Sequence, residues 1–412
     1  MPSTTRGRRL RSTPRPRDRR EQLAAIAADL FRRHGYHNVG VGDIAAAAGI
    51  TGPAVYRHFP SKQAILGHVV LSGLDNAAAV VTSAIVESDG SADARRLAVL
   101  AAALSSLVVE RRELGALWRR EGRNLPAGDR AELGVRARRA VRFGVDLVQR
   151  VRPALVVEDA ELLCWAALSV YGSVSDHHVT LPKARFEGLL TSMALAVVHD
   201  QGVPARDGVP PSTTMGGAGG TWSATIAPRA RLSRREQLLT LAARMFREHG
   251  FHAVTMEDIG AAAGITGPSI YRHYASKADL LVAMCNRIGD RLRIGVEAAL
   301  AHPPRRALEE LTASFVHTVL EYRDLVAAYL VEGGNLPDRD RAEVRRLQRN
   351  YVLEWATLLL ALDPSLDDKS ARVRVHAAFA VVNDIARTAR FAARPQLPAE
   401  LAALALAVLT IG

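Results

Sequence analysis

Hydrophobic residues recur along this chain at the three- to four-residue spacing of amphipathic α-helices. The first such stripe comprises Leu23, Ile26, Ala27, Leu30 and Phe31. Gly35 follows this stripe at the place where a left-handed helix C-cap is expected. The alternating pattern that indicates strands is nearly absent. The pattern therefore predicts an all-α protein.

The chain also repeats itself at a domain-sized offset. A shift of 215 positions aligns residues 20–23 and 49–58 with residues 235–238 and 264–273. Farther along, the motif Glu-x-x-Asn-Leu-Pro begins at Glu121 and returns at Glu332, at an offset of 211. This period is too long for a solenoid, whose repeats span 20 to 50 residues. The sequence thus predicts two tandem copies of one unit.

The repeat and the glycine and proline positions divide the chain into six segments. Residues 201–232 are rich in Gly and Pro and are predicted to form a flexible linker. The other predicted segments are a basic arm (1–17), a first small helical domain (18–66), a first helical core (67–200), a second small helical domain (233–281) and a second helical core (282–412).

Each copy begins with the plan of a helix-turn-helix. After the first stripe, a short helix carries Ile44 inward, Gly49 makes a tight turn, and Pro53 suits the first turn of a third helix. On that third helix, Ala54, Arg57 and His58 share one face. Val55 and Phe59 lie on the opposite face, toward the core. The third helix of such a motif enters the major groove of DNA.

The exposed face carries side chains that can read DNA. Arg57 can donate two hydrogen bonds to guanine, and Pro53 and Ala54 are small enough for close contact with a thymine methyl group. Lys62, beside the first turn of the next helix, is predicted to hold a phosphate, as is Lys277 in the second copy. Arginines upstream of both copies, from Arg6 to Arg20 and from Arg229 to Arg235, form basic arms of a kind that enters the minor groove.

These residues resemble the DNA-binding signature of the tetracycline-repressor (TetR) family. The resemblance is carried twice by Ile-Thr-Gly-Pro, Tyr-Arg-His and Ser-Lys at matching spacing, over residues 20–66 and 235–281. It implies a helical core for dimerisation and small-ligand sensing after each DNA-binding domain. The predicted DNA contacts are Thr51, Gly52, Pro53, Ala54, Tyr56, Arg57, His58, Lys62, Thr255, Thr266, Gly267, Pro268, Ser269, Tyr271, Arg272, His273 and Lys277.

The two copies differ before the third helix. The first copy has Gly40 and Gly42 where the family pattern places a helix cap and polar contacts, and Gly42 offers no base contact. In the second copy, Thr255 and Asp258 have the spacing of a capping box. We therefore expect the second helix of the first copy to be less firmly anchored.

The tandem layout is similar to that of actinobacterial regulators of steroid and lipid uptake operons. This resemblance implies a small apolar, lipid- or steroid-like effector that releases a repressor from its operator. The predicted ligand contacts are Trp118, Glu121, Tyr329, Glu332, Asp384 and Arg387. For each of them, a buried ion pair or a helix-to-helix hydrogen bond is the favoured alternative.

Fusion of two copies makes a dimer covalent. The linker has a root-mean-square span of roughly 30 Å, which favours pairing of the two cores within one chain. We therefore expect one chain to form an intramolecular pseudo-dimer. The third helices of the two copies differ on their exposed faces only at Ala54 and Ser269, so the two half-sites of the operator should be similar and form an imperfect inverted repeat. Assembly of several chains into a further homo-oligomer is also compatible with the sequence.

Composition and charge agree with this interpretation. The net charge of +12 gives a surface that attracts polyanions. Cys164 and Cys285 lie in apolar stretches without nearby ligands, so neither a disulfide nor a zinc site is predicted. No uninterrupted apolar run is long enough to span a membrane, and we expect a cytoplasmic protein.

An enzyme, a metal-binding protein and an architectural DNA-binding protein are the alternatives to a transcriptional regulator. The sequence has no phosphate loop, nucleophile elbow or paired catalytic carboxylates, so neither an enzyme nor a cofactor is predicted. His177 and His178 lack further ligands at metal spacing, and no metal site is predicted. The remaining alternative is an architectural protein, which would bind any duplex with equal affinity.

Overall fold

A computed structural model describes residues 16–112, 115, 122–202, 233–265 and 267–411. Within these ranges the chain forms seventeen α-helices and three short 3₁₀ helices, and it has no strand there. The all-α prediction is confirmed. The chain separates into two compact units, one of residues 1–78 and 116–137, the other of residues 79–115 and 138–412.

The first unit contains the first helix-turn-helix. Its helices are α1 (Pro16–His34), α2 (Val41–Ala47), α3 (Gly52–Tyr56) and the start of α4 (Lys62–Glu87), followed by a 3₁₀ turn (Gly122–Asn124) and the start of α6 (Ala127–Val151). The predicted stripe of α1 packs into a core with Ile44, Val55 and Phe59, all of which are fully buried. Gly35 and Gly49 adopt positive φ angles of 80° and 64° at the predicted turns, a conformation in which glycine is favoured.

Within the described residues, α4 is the one helix whose length and mean hydropathy would allow it to cross a membrane. Its first turns bury Ile65, Leu66 and Val69 in the core of the first helix-turn-helix.

The second unit repeats the helix-turn-helix. It is built from α9 (Arg234–His249), α10 (Met256–Ala262), α11 (Gly267–Ile270) and α12 (Lys277–Ala299). Leu238, Ala242, Phe246, Ile259 and Ile270 are fully buried at the positions that match the first core at the 215-residue offset. Both copies thus use one packing plan.

The second unit also holds both helical cores. The first core consists of α5 (Asp93–Glu110), the later turns of α6, α7 (Val157–Ser173) and α8 (Lys183–His199). The second core consists of α13 (Pro304–Glu321), α14 (Arg323–Glu332), α15 (Asp338–Leu362), α16 (Asp368–Arg387) and α17 (Leu397–Leu409).

The two cores pack against each other through four helices. Helix α7 contacts α16, and α8 contacts α17. Arg394, which is almost fully buried, bridges the cores through ion pairs with Asp159 (2.5 Å) and Glu400 (2.7 Å). The rings of His177 and His376 stack across the same interface, with their centroids 4.6 Å apart.

Several predicted segments and residues lie outside the described ranges. These are the basic arm up to Arg15, Trp118, Glu121, nearly all of the predicted linker, Arg229, Arg231 and Thr266.

Candidate DNA-binding surfaces

The first surface surrounds the short helix α3. Tyr56 and Arg57 are exposed, and His58 is partly exposed, while Val55 and Phe59 are buried as predicted. Thr51, Pro53 and Ala54, at the start of α3, are also exposed or partly exposed. The structure therefore brings the predicted contacts of the first copy, apart from Lys62, to one exposed edge.

Helix α3 is shorter than predicted. It ends at Tyr56, Arg57 is its C-cap, and His58 lies in the following turn. The amide of His58 donates to the carbonyl of Val55 at 2.9 Å, an i to i−3 hydrogen bond that tightens the last turn. Pro60 comes two residues later and disfavours helical backbone at Phe59. Arg57 and His58 consequently extend from the end of the helix.

The second surface has the same layout with additional hydrogen bonds. Arg272 donates to the hydroxyl of Ser269 at 2.9 Å, and the phenol of Tyr271 donates to the carboxylate of Glu257 at 3.0 Å. The bond to this carboxylate raises the pKa of Tyr271 above its ordinary value. His273 is partly exposed, and Pro268 is exposed.

The two surfaces differ in how their second helices begin. Thr255 and Asp258 form a reciprocal capping box at the start of α10, as predicted: the Asp258 amide donates to the Thr255 hydroxyl at 3.1 Å, and the Thr255 amide donates to the carboxylate at 2.9 Å. At the start of α2, the Gly40 amide donates to Asp43 at 2.7 Å, but Gly40 has no side chain to return the bond. The predicted contrast between the two helix caps is confirmed.

Lys62 and Lys277 hold their domains together from within. The Lys62 ammonium donates to the carbonyls of Tyr36 and Val39, each at 2.9 Å. Lys277 donates to the carbonyls of Phe251 and Val254 at 2.7 and 2.6 Å, and burial lowers its pKa below the ordinary value.

These contacts limit what the two lysines can offer to DNA. Two of the three N–H donors of each ammonium are committed to carbonyls, which leaves at most one for the predicted phosphate contact. These hydrogen bonds join the α1–α2 loop to α4 in the first copy and the α9–α10 loop to α12 in the second.

Glu332 connects the second core to the second helix-turn-helix. Its buried carboxylate accepts the amide of Phe251 at 3.2 Å and the side-chain amide of Asn335 at 2.8 Å. Asn335 also pairs with His252 at 3.0 Å, and Asn124 pairs with His37 at 3.1 Å in the first copy. The partners of Glu332 therefore belong to a loop and to the adjacent 3₁₀ turn, and a ligand role for Glu332 stays a prediction.

The ligand candidates Tyr329, Asp384 and Arg387, which lie in the described ranges, have protein partners as well. Arg387 forms an ion pair with Asp384 at 2.5 Å, one helical turn away on α16. The phenol of Tyr329 is buried beside Gln348, and burial raises its pKa. A ligand role for these residues stays a prediction.

The sequence interpretation missed Glu257, Asn335 and the two histidines paired with asparagine. Glu257 stands where the first copy has Gly42, so the difference between the copies was the available signal. His37 and His252 recur at the 215-residue offset, and their asparagines belong to the repeated Glu-x-x-Asn-Leu-Pro motif. Repeated polar residues in two separate motifs therefore indicated a contact between those motifs.

The chain is similar to known bacterial regulatory proteins. The family model described as bacterial regulatory proteins, tetR family, matches residues 23–69 and 238–284. The chain is 30% identical over 158 residues to the transcriptional repressor KstR2 of Rhodococcus jostii, covering 37% of this chain and 76% of that protein. It is 40% identical over 83 residues to the transcriptional activator FasR of Mycolicibacterium smegmatis, covering 20% of this chain and 37% of that protein.

Other relatives are matched over part of their length. KstR2 of Mycolicibacterium smegmatis is 32% identical over 138 residues, which cover 32% of this chain and 66% of that protein. Among solved structures, the ketosteroid regulator KstR2 of Mycobacterium tuberculosis superposes with a TM-score of 0.39 at 24% identity, covering 43% of this chain and 93% of that one. AibR in complex with isovaleryl coenzyme A and operator DNA superposes with a TM-score of 0.37 at 20% identity, covering 42% of this chain and 97% of that one.

Proposed function

The chain belongs to the tetR family of bacterial regulatory proteins, and from this premise we propose that it is a sequence-specific DNA-binding transcriptional regulator and not an enzyme. The observation that carries the proposal is the repeated exposure of Tyr-Arg-His at the end of α3 and of α11 on matching buried scaffolds. Arginine at such a position reads guanine in the major groove. The site of action would be the cytoplasm, where the operator lies.

We propose further that one chain acts as a covalent pseudo-dimer. The packing of α7 and α8 against α16 and α17 supports this proposal, because it joins the two cores through buried charge and stacked rings. Paired helix-turn-helix domains bind half-sites about one turn of DNA apart, roughly 34 Å. The expected operator is an imperfect inverted repeat, and the segment boundaries predicted from the sequence remain part of this proposal.

We propose that the regulator is a repressor released by a small apolar effector. The relatives named as repressors support repression of transcription, and the ketosteroid regulator supports a lipid- or steroid-like ligand class. The second core contains a cluster of aromatic rings formed by Phe315, Tyr351, Trp355 and Phe379. In the described part of the chain, the phenol O–H of Tyr351 has no hydrogen-bond acceptor. An apolar ligand that carries a carbonyl group would supply one.

A route from the core to DNA is also present in the second copy. A ligand that displaced α14 would move Glu332, which holds the amide of Phe251 in the loop between α9 and α10. Lys277 holds the carbonyl of the same residue, so the loop and the start of α12 would respond together. This coupling gives the effector a physical means to change the position of α11.

The proposal is tested by replacing the two predicted guanine readers. Binding of the full chain to DNA from its own promoter region would be followed by footprinting and fluorescence anisotropy. Arg57→Ala and Arg272→Ala should each weaken operator binding by about 1 to 3 kcal/mol and relax its specificity. Arg293→Ala, an exposed arginine paired with Glu297 on α12, is the charge-matched control. If the two arginine variants lose the same binding affinity for the operator as for a random duplex, the result would instead favour an architectural protein.

A further inference from the structure

The two DNA-binding surfaces carry the same Tyr-Arg pair in different surroundings. On the second surface, Tyr271 donates to Glu257 at 3.0 Å and Arg272 donates to Ser269 at 2.9 Å. At the 215-residue offset, the first surface has Gly42 in place of Glu257 and Ala54 in place of Ser269. Neither of these side chains can accept a hydrogen bond, so the first surface lacks both contacts.

Glu257 is exposed and held in place. It lies in the first turn of α10, whose start is anchored by the capping box of Thr255 and Asp258. The hydrogen bond from Tyr271 restrains its carboxylate beside the predicted DNA contacts, on the exposed side of the domain. The Glu257 carboxylate therefore lies beside a side chain that is predicted to contact DNA.

The chemistry of a carboxylate limits what it can meet there. An ionised carboxylate only accepts hydrogen bonds, and phosphate groups repel it. The base-edge donors in the major groove are the amino groups of cytosine and adenine. The adenine amino group lies between two acceptors, its own N7 and the O4 of the paired thymine, and both repel the second carboxylate oxygen. The cytosine amino group has an acceptor on one side only, the O6 of the paired guanine, and the cytosine C5–H on the other. Cytosine is therefore the base that fits best.

We propose that Glu257 is a specificity-determining residue that selects cytosine at one position of the half-site bound by the second helix-turn-helix. The first helix-turn-helix, with Gly42, accepts any base at the mirror position. This inference rests on the proposed function. It implies that the two half-sites differ in how many base pairs the protein specifies as well as in their sequence. The second half-site specifies one base pair more than the first.

The test uses the full chain and an operator in which each base pair is replaced in turn. Footprints of Arg57→Ala and Arg272→Ala assign each half-site to its domain. For the wild-type chain, replacing one cytosine in the second half-site should weaken binding about 5- to 100-fold, the range of one good base contact. The mirror replacement in the first half-site should change binding less than about twofold, because no side chain reaches the base there.

Three variants separate base reading from a purely structural role. Glu257→Gly should abolish the preference at that position, and Glu257→Gln should move it toward adenine, which pairs with an amide through N6 and N7. Gly42→Glu should create a cytosine preference in the first half-site. Glu297→Gln, which changes an exposed carboxylate paired with Arg293 on α12, is the matched control and should leave the preference at this position unchanged.

Two results would overturn the inference. One is a uniform loss of affinity for all operator variants in Glu257→Gly and Glu257→Gln, which would show that Glu257 only holds Tyr271. The other is a wild-type chain that tolerates every replacement equally in both half-sites while still preferring the operator to random DNA. Failure of the proposed function is a different result, because no preference for the operator would then be seen at all.

Discussion

His376 is a histidine kept uncharged by its surroundings. Its ring is buried at the interface of the two cores and stacks on His177 of the first core. The pKa of His376 is lowered from 6.5 to about 4, chiefly by burial; Asp176 opposes this shift and Arg372 adds to it. Burial also lowers the pKa of His177, together with the neighbouring His376 and Arg112. Both rings therefore favour the neutral form in the folded chain.

This pair predicts a loss of stability in mild acid. Below pH 6.5 the unfolded chain binds a proton at His376, whereas the folded chain does not until the pH approaches 4, so unfolding becomes easier across that window. The expected cost is about 1 kcal/mol between pH 6.5 and 5.5. Denaturant titrations at several pH values measure it. His376→Phe should flatten the dependence, whereas His302→Phe, at an exposed position, should not; equal slopes in all three proteins would refute the assignment.

The residues show what the sequence could and could not predict. Burial of Val55 and Phe59 and the capping box of Thr255 followed from spacing alone, because helical periodicity and caps are local. The contacts of Lys62 with carbonyls 23 and 26 positions earlier did not, because they depend on how the chain folds back. A lysine at the start of a helix has the same local sequence pattern whether its ammonium binds a phosphate or a backbone carbonyl.

Helices α2 and α10 occupy matching positions in the two copies but differ in their N-caps. Helices α2 and α10 have equal lengths and matching buried isoleucines, yet only α10 has a side-chain cap. Gly40 and Thr255 both have extended backbone, with φ near −90° and −100°, so the difference lies in the side chain and not in the fold. In α2 the Asp43 amide donates to the Gly40 carbonyl at 3.2 Å and not to a side chain, so this helix lacks the stabilisation that an N-cap hydroxyl provides.

We expect Thr255→Ala to destabilise the second helix-turn-helix by about 1 kcal/mol, because it removes the acceptor of the Asp258 amide. Gly40→Ser should stabilise the first by a few tenths of a kcal/mol. Amide hydrogen exchange in α2 and α10 reports each effect locally. Thr357→Ala is the control, since that hydroxyl bonds only to a carbonyl within its own helix. Unchanged exchange in α10 of Thr255→Ala would contradict the capping role.

At the scale of the whole molecule, the cores carry complementary charges that no local pattern reveals. Arg394 pairs with Asp159, 235 positions earlier, and Arg390 pairs with Glu161. At the 211-residue offset, the counterparts of Asp159 and Glu161 in the second core are Ser370 and Arg372. Two second cores packed in the same way would therefore place Ser370 and Arg372 opposite Arg394 and Arg390, where the first core supplies the carboxylates of Asp159 and Glu161. The interface favours a first core with a second one.

Cleavage of the linker separates the role of this interface from that of the covalent connection. We expect a chain cut at a protease site inserted between residues 203 and 232 to remain paired in gel filtration, because the buried ion pairs of Arg394 are unaffected. Operator affinity of the cut chain should fall on dilution, whereas the intact chain keeps the two halves at an effective millimolar concentration.

Arg394→Glu sharpens this experiment, because it places a third carboxylate beside Asp159 and Glu400 in a buried site, where unpaired charge is strongly unfavourable. The intact variant should still bind the operator through its tether, while the cut variant should separate into halves and lose operator binding. Arg305→Glu reverses a charge at an exposed position and should behave like the parent chain. If the cut parent chain separates as readily as the cut Arg394→Glu variant, the tether alone holds the pair together, and the proposal that the two cores form a pseudo-dimer interface is wrong.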